Sequence, residues 1–207
     1  MADISPGQFP TTPSFQAVAF KIVTPTITSV TNSGKMRRVG QGHSYYSFDV
    51  KYPQISAQDQ GKVMAFVATA QGPVFSFEIV LPEISTSKAT DATTANATIT
   101  SSANITYGQR YVTVNNCGNN KQIVKAGDYF RFANHSKVYM ATTDVTSNGA
   151  GAANITFSGS SVTSVTSGTR LQIQDVPFTV VLAEEEQSYD VGYGGVSTLS
   201  LSMREVW

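Results

Sequence analysis

The chain has 207 residues with 14 basic and 14 acidic side chains, so it carries no formal net charge at pH 7, and its overall electrostatics call for neither a nucleic-acid duplex nor an anionic membrane. Charged residues are only 14% of the chain, against roughly 25% in ordinary soluble domains, which suits a surface covered by neighbours. The single cysteine, Cys117, excludes an internal disulfide framework. With no basic patch leading into an apolar run at the start and no long uninterrupted apolar stretch, the expectation is a protein assembled in a cytoplasm, neither secreted nor membrane-spanning.

In chain order, Pro10, Pro13 and Pro25 break up the opening, while Phe15, Val18, Phe20, Ile22 and Val23 supply strand-forming residues between them. Thr31-Asn32-Ser33-Gly34 is a turn signal, followed by the basic residues Lys35, Arg37 and Arg38. Tyr46, Phe48, Val50 and Tyr52 alternate with Ser47, Asp49 and Lys51, which predicts a half-buried strand over 44–52 that Pro53 ends. Residues 56–70 read as a helix. Ser56 caps it with Asp59 three residues on, Val63, Phe66, Val67 and Ala70 form one apolar stripe, and Gly72 terminates it. A strand is expected over Val74–Leu81, stopped by Pro82.

After Ile84 the composition shifts. Residues 85–104 are dominated by Ser, Thr, Ala and Asn, the pattern of a flexible connector or of weakly amphipathic strands around Ala97, Ile99 and Ile105. Short strands are then expected at Tyr111–Val114, Ile123–Val124, Tyr129–Phe132, Lys137–Met140, Ile155–Phe157 and Leu171–Ile173. Turns at 117–120, 127–128, 148–151 and 166–168 separate them, a rhythm that argues for a compact barrel or sandwich. Pro177 marks a second boundary, Phe178–Leu182 is a strand, and 192–195 supplies a bend. The last run alternates through Leu199, Leu201 and Met203 until its register is disturbed near Glu205. Because this final stretch returns to the style of the first, residues 1–84 and 175–207 are expected to build one domain into which 85–174 is inserted.

Chemistry-bearing clusters are sparse. His43 and His135 are far apart and read as surface or turn-stabilising residues, and Cys117 reads as an ordinary partly buried thiol with no basic neighbour in sequence. In a strand Glu184-Glu185-Glu186 would point to alternating faces, so a metal site is not expected from them, and an Asx turn accounts for Asp128. No phosphate-binding, dinucleotide or zinc-protease motif occurs. The expectation is a non-catalytic protein with no cofactor and no metal. Lys35, Arg37 and Arg38 read first as a loop whose cations meet a neighbour's carboxylates, and second as a contact to nucleic acid passing through a channel.

Three sets of segments together carry a resemblance: the strand Ser44–Tyr52 leading through Pro53 into the helix from Ser56, with Val74–Leu81 as its partner; the terminal strands Phe178–Leu182 and Leu199–Trp207; and the inserted run Ala126–Tyr139 followed by Thr142–Val145 and a Gly-rich turn. This layout resembles the distal tail proteins of long-tailed bacteriophages. The resemblance implies a mainly β fold: a tail-tube-like β-sandwich with one packed α-helix, carrying an inserted small barrel of the oligonucleotide-binding-fold shape. Phe130 and Phe132 would fill that barrel and Tyr129 would be exposed.

The function it implies is mechanical and located in the virion tail. Copies form a homo-hexameric ring that continues the tube lumen, joins tail tube protein to hub or tip proteins at the baseplate, and passes genomic DNA during ejection. Tyr45, Tyr46 and Trp207 are candidates for the contacts between copies, or for the domain's own core. The rival readings are another tail component of related fold (major tube protein, hub or terminator), with residues 24–43 as the long loop for axial contacts, and a carbohydrate-binding module using surface tyrosines and Asn-rich turns.

Overall fold

The computed structural model describes residues 6–40, 43–191 and 196–207; the bend expected at 192–195 lies outside the described residues. The protein is mainly β, with several antiparallel sheets and two short helices. The elements run β1 (Ala17–Val23), β2 (Thr26–Val30), β3 (Met36–Gly40), β4 (Tyr45–Lys51), β5 (Ile55–Ser56), α1 (Ala57–Ala70), β6 (Phe77–Ile79) and α2 (Ala92–Asn96). There follow β7 (Thr100–Ser101), β8 (Tyr111–Asn115), β9 (Gln122–Val124), β10 (Tyr129–Phe132), β11 (Val138–Met140) and β12 (Val145–Thr146). The chain closes with β13 (Ala153–Thr156), β14 (Leu171–Gln172), β15 (Phe178–Leu182), β16 (Tyr189–Val191) and β17 (Val196–Glu205). Two compact units result. The first comprises Met1–Phe77 with Val180–Val206, and the second Glu78–Thr179 with Trp207. The divisions fall inside β6 and β15.

The first unit is organised by a sheet in which β4 lies between β1 and β17, and β17 pairs in turn with β15, β16 and β5. Alternation on β4 buries Tyr46, Phe48, Val50 and Tyr52, and on β17 it buries Leu199, Leu201 and Met203. Glu205 keeps that alternation rather than breaking it. Its side chain is 1% exposed, and its Oε2 accepts the Tyr46 backbone N–H at 3.1 Å, which makes a carboxylate tolerable on the buried face.

Helix α1 covers β17 and β5. The Ser56 Oγ accepts the Asp59 N–H at 3.3 Å, satisfying one of the helix's open donors. The helix ends with Gln71 and Gly72 both in the left-handed region (φ 51° and 64°). Val63, Val67 and Ala70 are buried. Phe66 stands half-buried, with its ring 5.1 Å from both Phe9 and Phe77. The strand expected over Val74–Leu81 shrinks to Phe77–Ile79, because the chain keeps turning after the helix. Val74 and Phe75 N–H groups donate to Gln71 and Ala70 carbonyls, leaving Val74 65% exposed.

The second unit has its own core, from Ala89, Ile99 and Val112 through Phe130, Phe132, Tyr139 and Phe157 to Ile173. Around it lie the sheets β11-β10-β14, β12-β9 and β13-β8-β7, joined by the isolated bridges Thr100↔Arg170, Ile105↔Val165 and Ala141↔Phe157. Among the described residues the sheets do not close into a barrel. Residues 85–104 are not a loose connector: Ala89, Ala92, Ala95 and Ile99 are buried at helical spacing around α2. The Asn96 Oδ1 accepts the Ile173 and Gln174 N–H groups, tying this segment to the end of β14. Phe130 and Phe132 are fully buried. Tyr129 is half-buried rather than exposed, its ring 5.6 Å from Phe178 and its phenol pushed up to about 12 by burial.

Candidate functional site

The basic residues singled out in the sequence lie on a two-stranded hairpin rather than in a loop. Strands β2 and β3 pair from Thr26↔Gly40 through Val30↔Met36 and bond to no other strand among the described residues. The turn at Thr31–Gly34 is closed by the Gly34 N–H on the Thr31 carbonyl at 2.8 Å, with Gly34 at φ 78°. All ten residues of the two strands are exposed. Because side chains alternate across a strand, one face carries Ile27, Ser29, Arg37 and Val39, and the other carries Thr28, Val30, Met36 and Arg38. Each face therefore has a cross-strand apolar pair and one arginine: Ile27 with Val39 (54% and 66% exposed), and Val30 with Met36 (62% and 58%). Lys35 stands at the turn. An isolated two-stranded ribbon is marginally stable in water, and contiguous exposed apolar side chains mark contact surfaces.

Glu184, Glu185 and Glu186 follow β15 and are exposed. Gly72 packs beside them: a Cβ there would stand 3.5 Å from the Glu185 Cα. The last turn of α1 contains no basic residue.

The other candidates take structural positions. Tyr46 is in the core at 5% exposure, 5.3 Å from Phe20, so of the two places open to it the structure gives the core. Tyr45 is half-buried under Arg204, whose guanidinium carbon is 4.2 Å from the ring centroid. Trp207 is 48% exposed, with the Lys137 Nζ 4.2 Å over its ring. His43 is half-buried at the start of β4.

His135 is held by the Asn134 Oδ1 at 2.8 Å on Nδ1 and by the Tyr139 hydroxyl at 2.8 Å on Nε2. The amide oxygen only accepts, so Nδ1 carries the proton and Nε2 accepts from Tyr139, whose oxygen in turn accepts the Val162 N–H. Burial first, and then the charges of Arg131 and Lys137, push this imidazole down to about 4. Cys117 is 1% exposed and burial pushes its thiol up to about 11, away from a reactive thiolate. Asp128 does more than turn its own loop. Its carboxylate accepts from the Ser87 hydroxyl and from the Lys88 and Lys125 N–H groups, stapling residues 87–88 to the β9–β10 connection.

Among the described residues no three His, Cys, Asp or Glu side chains gather as a metal site would require. An open recess of about 360 Å³ lies beside Lys51, Gln16, Tyr189 and Ser200. Neither a protein-family model nor a curated protein matches this chain.

The sequence reading missed the apolar half of the hairpin and the position of the acidic run. A paired turn signal flanked by Thr-Ile-Thr-Ser-Val and Met-Arg-Arg-Val was the available signal for the first.

Proposed function

We propose that this chain is a non-catalytic structural subunit whose copies close into a ring, in the manner of the distal tail protein of a long-tailed bacteriophage. The observation that carries the reading is the β2–β3 hairpin, which presents an apolar pair and an arginine to water on both faces and gains stability when a neighbour covers it. The first unit is read as the tail-tube-like domain, with α1 packed on its sheet. The second is read as the inserted oligonucleotide-binding-like domain, its short sheets held together by bridges. The exposed edge strand β1 adds a second reason for closure, since a ring of identical copies covers such edges without leaving any for growth.

On this reading the homo-hexamer sits in the virion tail between tube protein and hub or tip proteins. It continues the lumen through which genomic DNA passes, touching the DNA only transiently. Concentrated purified protein imaged by electron microscopy tests the proposal. Discrete rings support the distal role, and long filaments assign the chain to the tube instead. Protein that stays monomeric at millimolar concentration overturns assembly altogether.

One rival retains a specific feature, the recess in which Tyr189 (46% exposed) stands near Lys51 and Gln16. A carbohydrate module using it would show glycan binding that is abolished by Tyr189→Ala.

A further inference from the structure

The hairpin and the acidic run leave the same sheet at opposite ends. In β1, Val23 pairs with Tyr45 of β4, so the chain departs into the hairpin and returns from it at the end of the sheet where Arg204 faces Ser47. Strand β15 starts at that same end, with Val180 opposite Glu205, and runs away from it: Leu182 faces Met203, and the Ala183 N–H reaches the Ser202 carbonyl. The next three residues, Glu184–Glu186, therefore emerge toward the far end, where Lys51 faces Ser200. There they meet the C-terminus of α1 at Gly72. That terminus is the negative end of a 14-residue helix whose last turn has no cation. The carboxylates gather at one end of the unit, while Lys35, Arg37 and Arg38 gather at the other. Among the described residues none of these charged side chains has an ion-pair or side-chain hydrogen-bond partner. Three exposed carboxylates thus lie toward one end of the main sheet and three exposed cations toward the other.

We infer that the β2–β3 hairpin docks on the Glu184–Glu186 segment of a second copy of this chain, Arg37 and Arg38 reaching its carboxylates while Ile27–Val39 and Val30–Met36 are covered. Complementary patches at opposite ends pair either twice over, in an antiparallel two-fold dimer, or once per neighbour, head to tail. The ring reading requires the head-to-tail join, the arrangement that generates closed rings or stacks, and a species that stops at the dimer in sedimentation overturns it. The inference rests on the assembly reading and supplies the contact that reading lacks.

Charge exchange tests it. The triple variant K35E/R37E/R38E and the triple variant E184K/E185K/E186K alter only exposed side chains, and an unchanged circular-dichroism melt establishes that each folds. Each alone repels itself at the proposed contact and needs at least roughly tenfold more protein to assemble than wild type, measured by sedimentation velocity. Mixed one to one, the two variants regain assembly, because acidic hairpin meets basic segment and basic hairpin meets acidic segment alternately. The sextuple variant carrying both sets assembles by itself. If wild type never assembles, the ring reading itself is overturned. If wild type assembles and the triple variants do so equally well, or lose assembly without recovering it in the mixture, assembly stands and this contact is overturned.

Discussion

Tyr52 ends the alternating face of β4 at 3% exposure with its hydroxyl buried and without a hydrogen-bond partner among the described residues, and that burial pushes the phenol well above its ordinary range. A buried polar atom without a partner costs stability, and removing it together with its need for one is neutral or favourable. Tyr52→Phe is therefore expected to stabilise the protein by about 1 kcal/mol, read as a raised midpoint in urea; a lowered midpoint contradicts the geometry. His135 works in the opposite sense. In the unfolded chain its imidazole takes a proton near 6.5, whereas in the fold it resists until about 4. Between those values the unfolded state binds more protons, so stability is full above about pH 6.5 and falls as pH drops toward 4. At about 1.4 kcal/mol per pKa unit the loss is at most roughly 3.5 kcal/mol, and solvent screening of the partly exposed ring makes it smaller. The carboxyls of Asp49, Asp59 and Asp91 are held below 3.8, mainly by their lysine partners, and lose their contribution only at lower pH. Urea midpoints measured from pH 7 to 4 should fall for wild type and stay flatter for His135→Gln, whose amide still accepts from Tyr139. Equal slopes would remove His135 as the cause.

At the scale of elements, α1 is fixed by the rings around Phe66. Phe66→Asp puts a carboxylate between Phe9 and Phe77, at a cost of roughly 3 kcal/mol or more in lost apolar contact and desolvation. The variant is expected to lose the cooperative melt of the first unit by circular dichroism, and an unchanged melt would show that the ring contacts do not hold the helix.

Such elements were legible because their side chains repeat with a clear period. Tyr46 to Tyr52 alternate, and Val63, Val67 and Ala70 recur at helical spacing around a Ser56 cap. Around α2 the same spacing is written in Ala89, Ala92 and Ala95, whose small apolar surface barely rises above the surrounding Ser and Thr, so the segment reads as a connector or as weakly amphipathic strands. The hairpin was half legible. Its turn is plain in Thr31–Gly34, but its strands bury neither face, and the alternation that marks a strand only appears when one face is hidden. The acidic run was weighed only for metal binding and set aside, because its position at the end of the sheet opposite the hairpin depends on strand pairings far apart in sequence, such as Ser200 with Lys51, that no local pattern encodes.

For the whole molecule, the decisive feature is that each of the two units buries large apolar side chains of its own. Phe48, Leu201 and Met203 belong to the first unit, while Phe130, Phe132 and Phe157 belong to the second. Calorimetry is expected to show two unfolding transitions rather than one, as for chains with separate cores. Phe48→Leu and Phe132→Leu each remove about 1–2 kcal/mol, within the usual span of point substitutions. Each should lower a different transition, by roughly 4–8 °C per kcal/mol for units of about this size. The hairpin lies in the first unit, so copies that associate through it stabilise that unit by mass action. The Phe48-sensitive transition should rise with protein concentration while the Phe132-sensitive one stays fixed. A single transition moved equally by both substitutions would mean the cores unfold as one, and a concentration dependence confined to the second unit would place the assembly contact away from the hairpin.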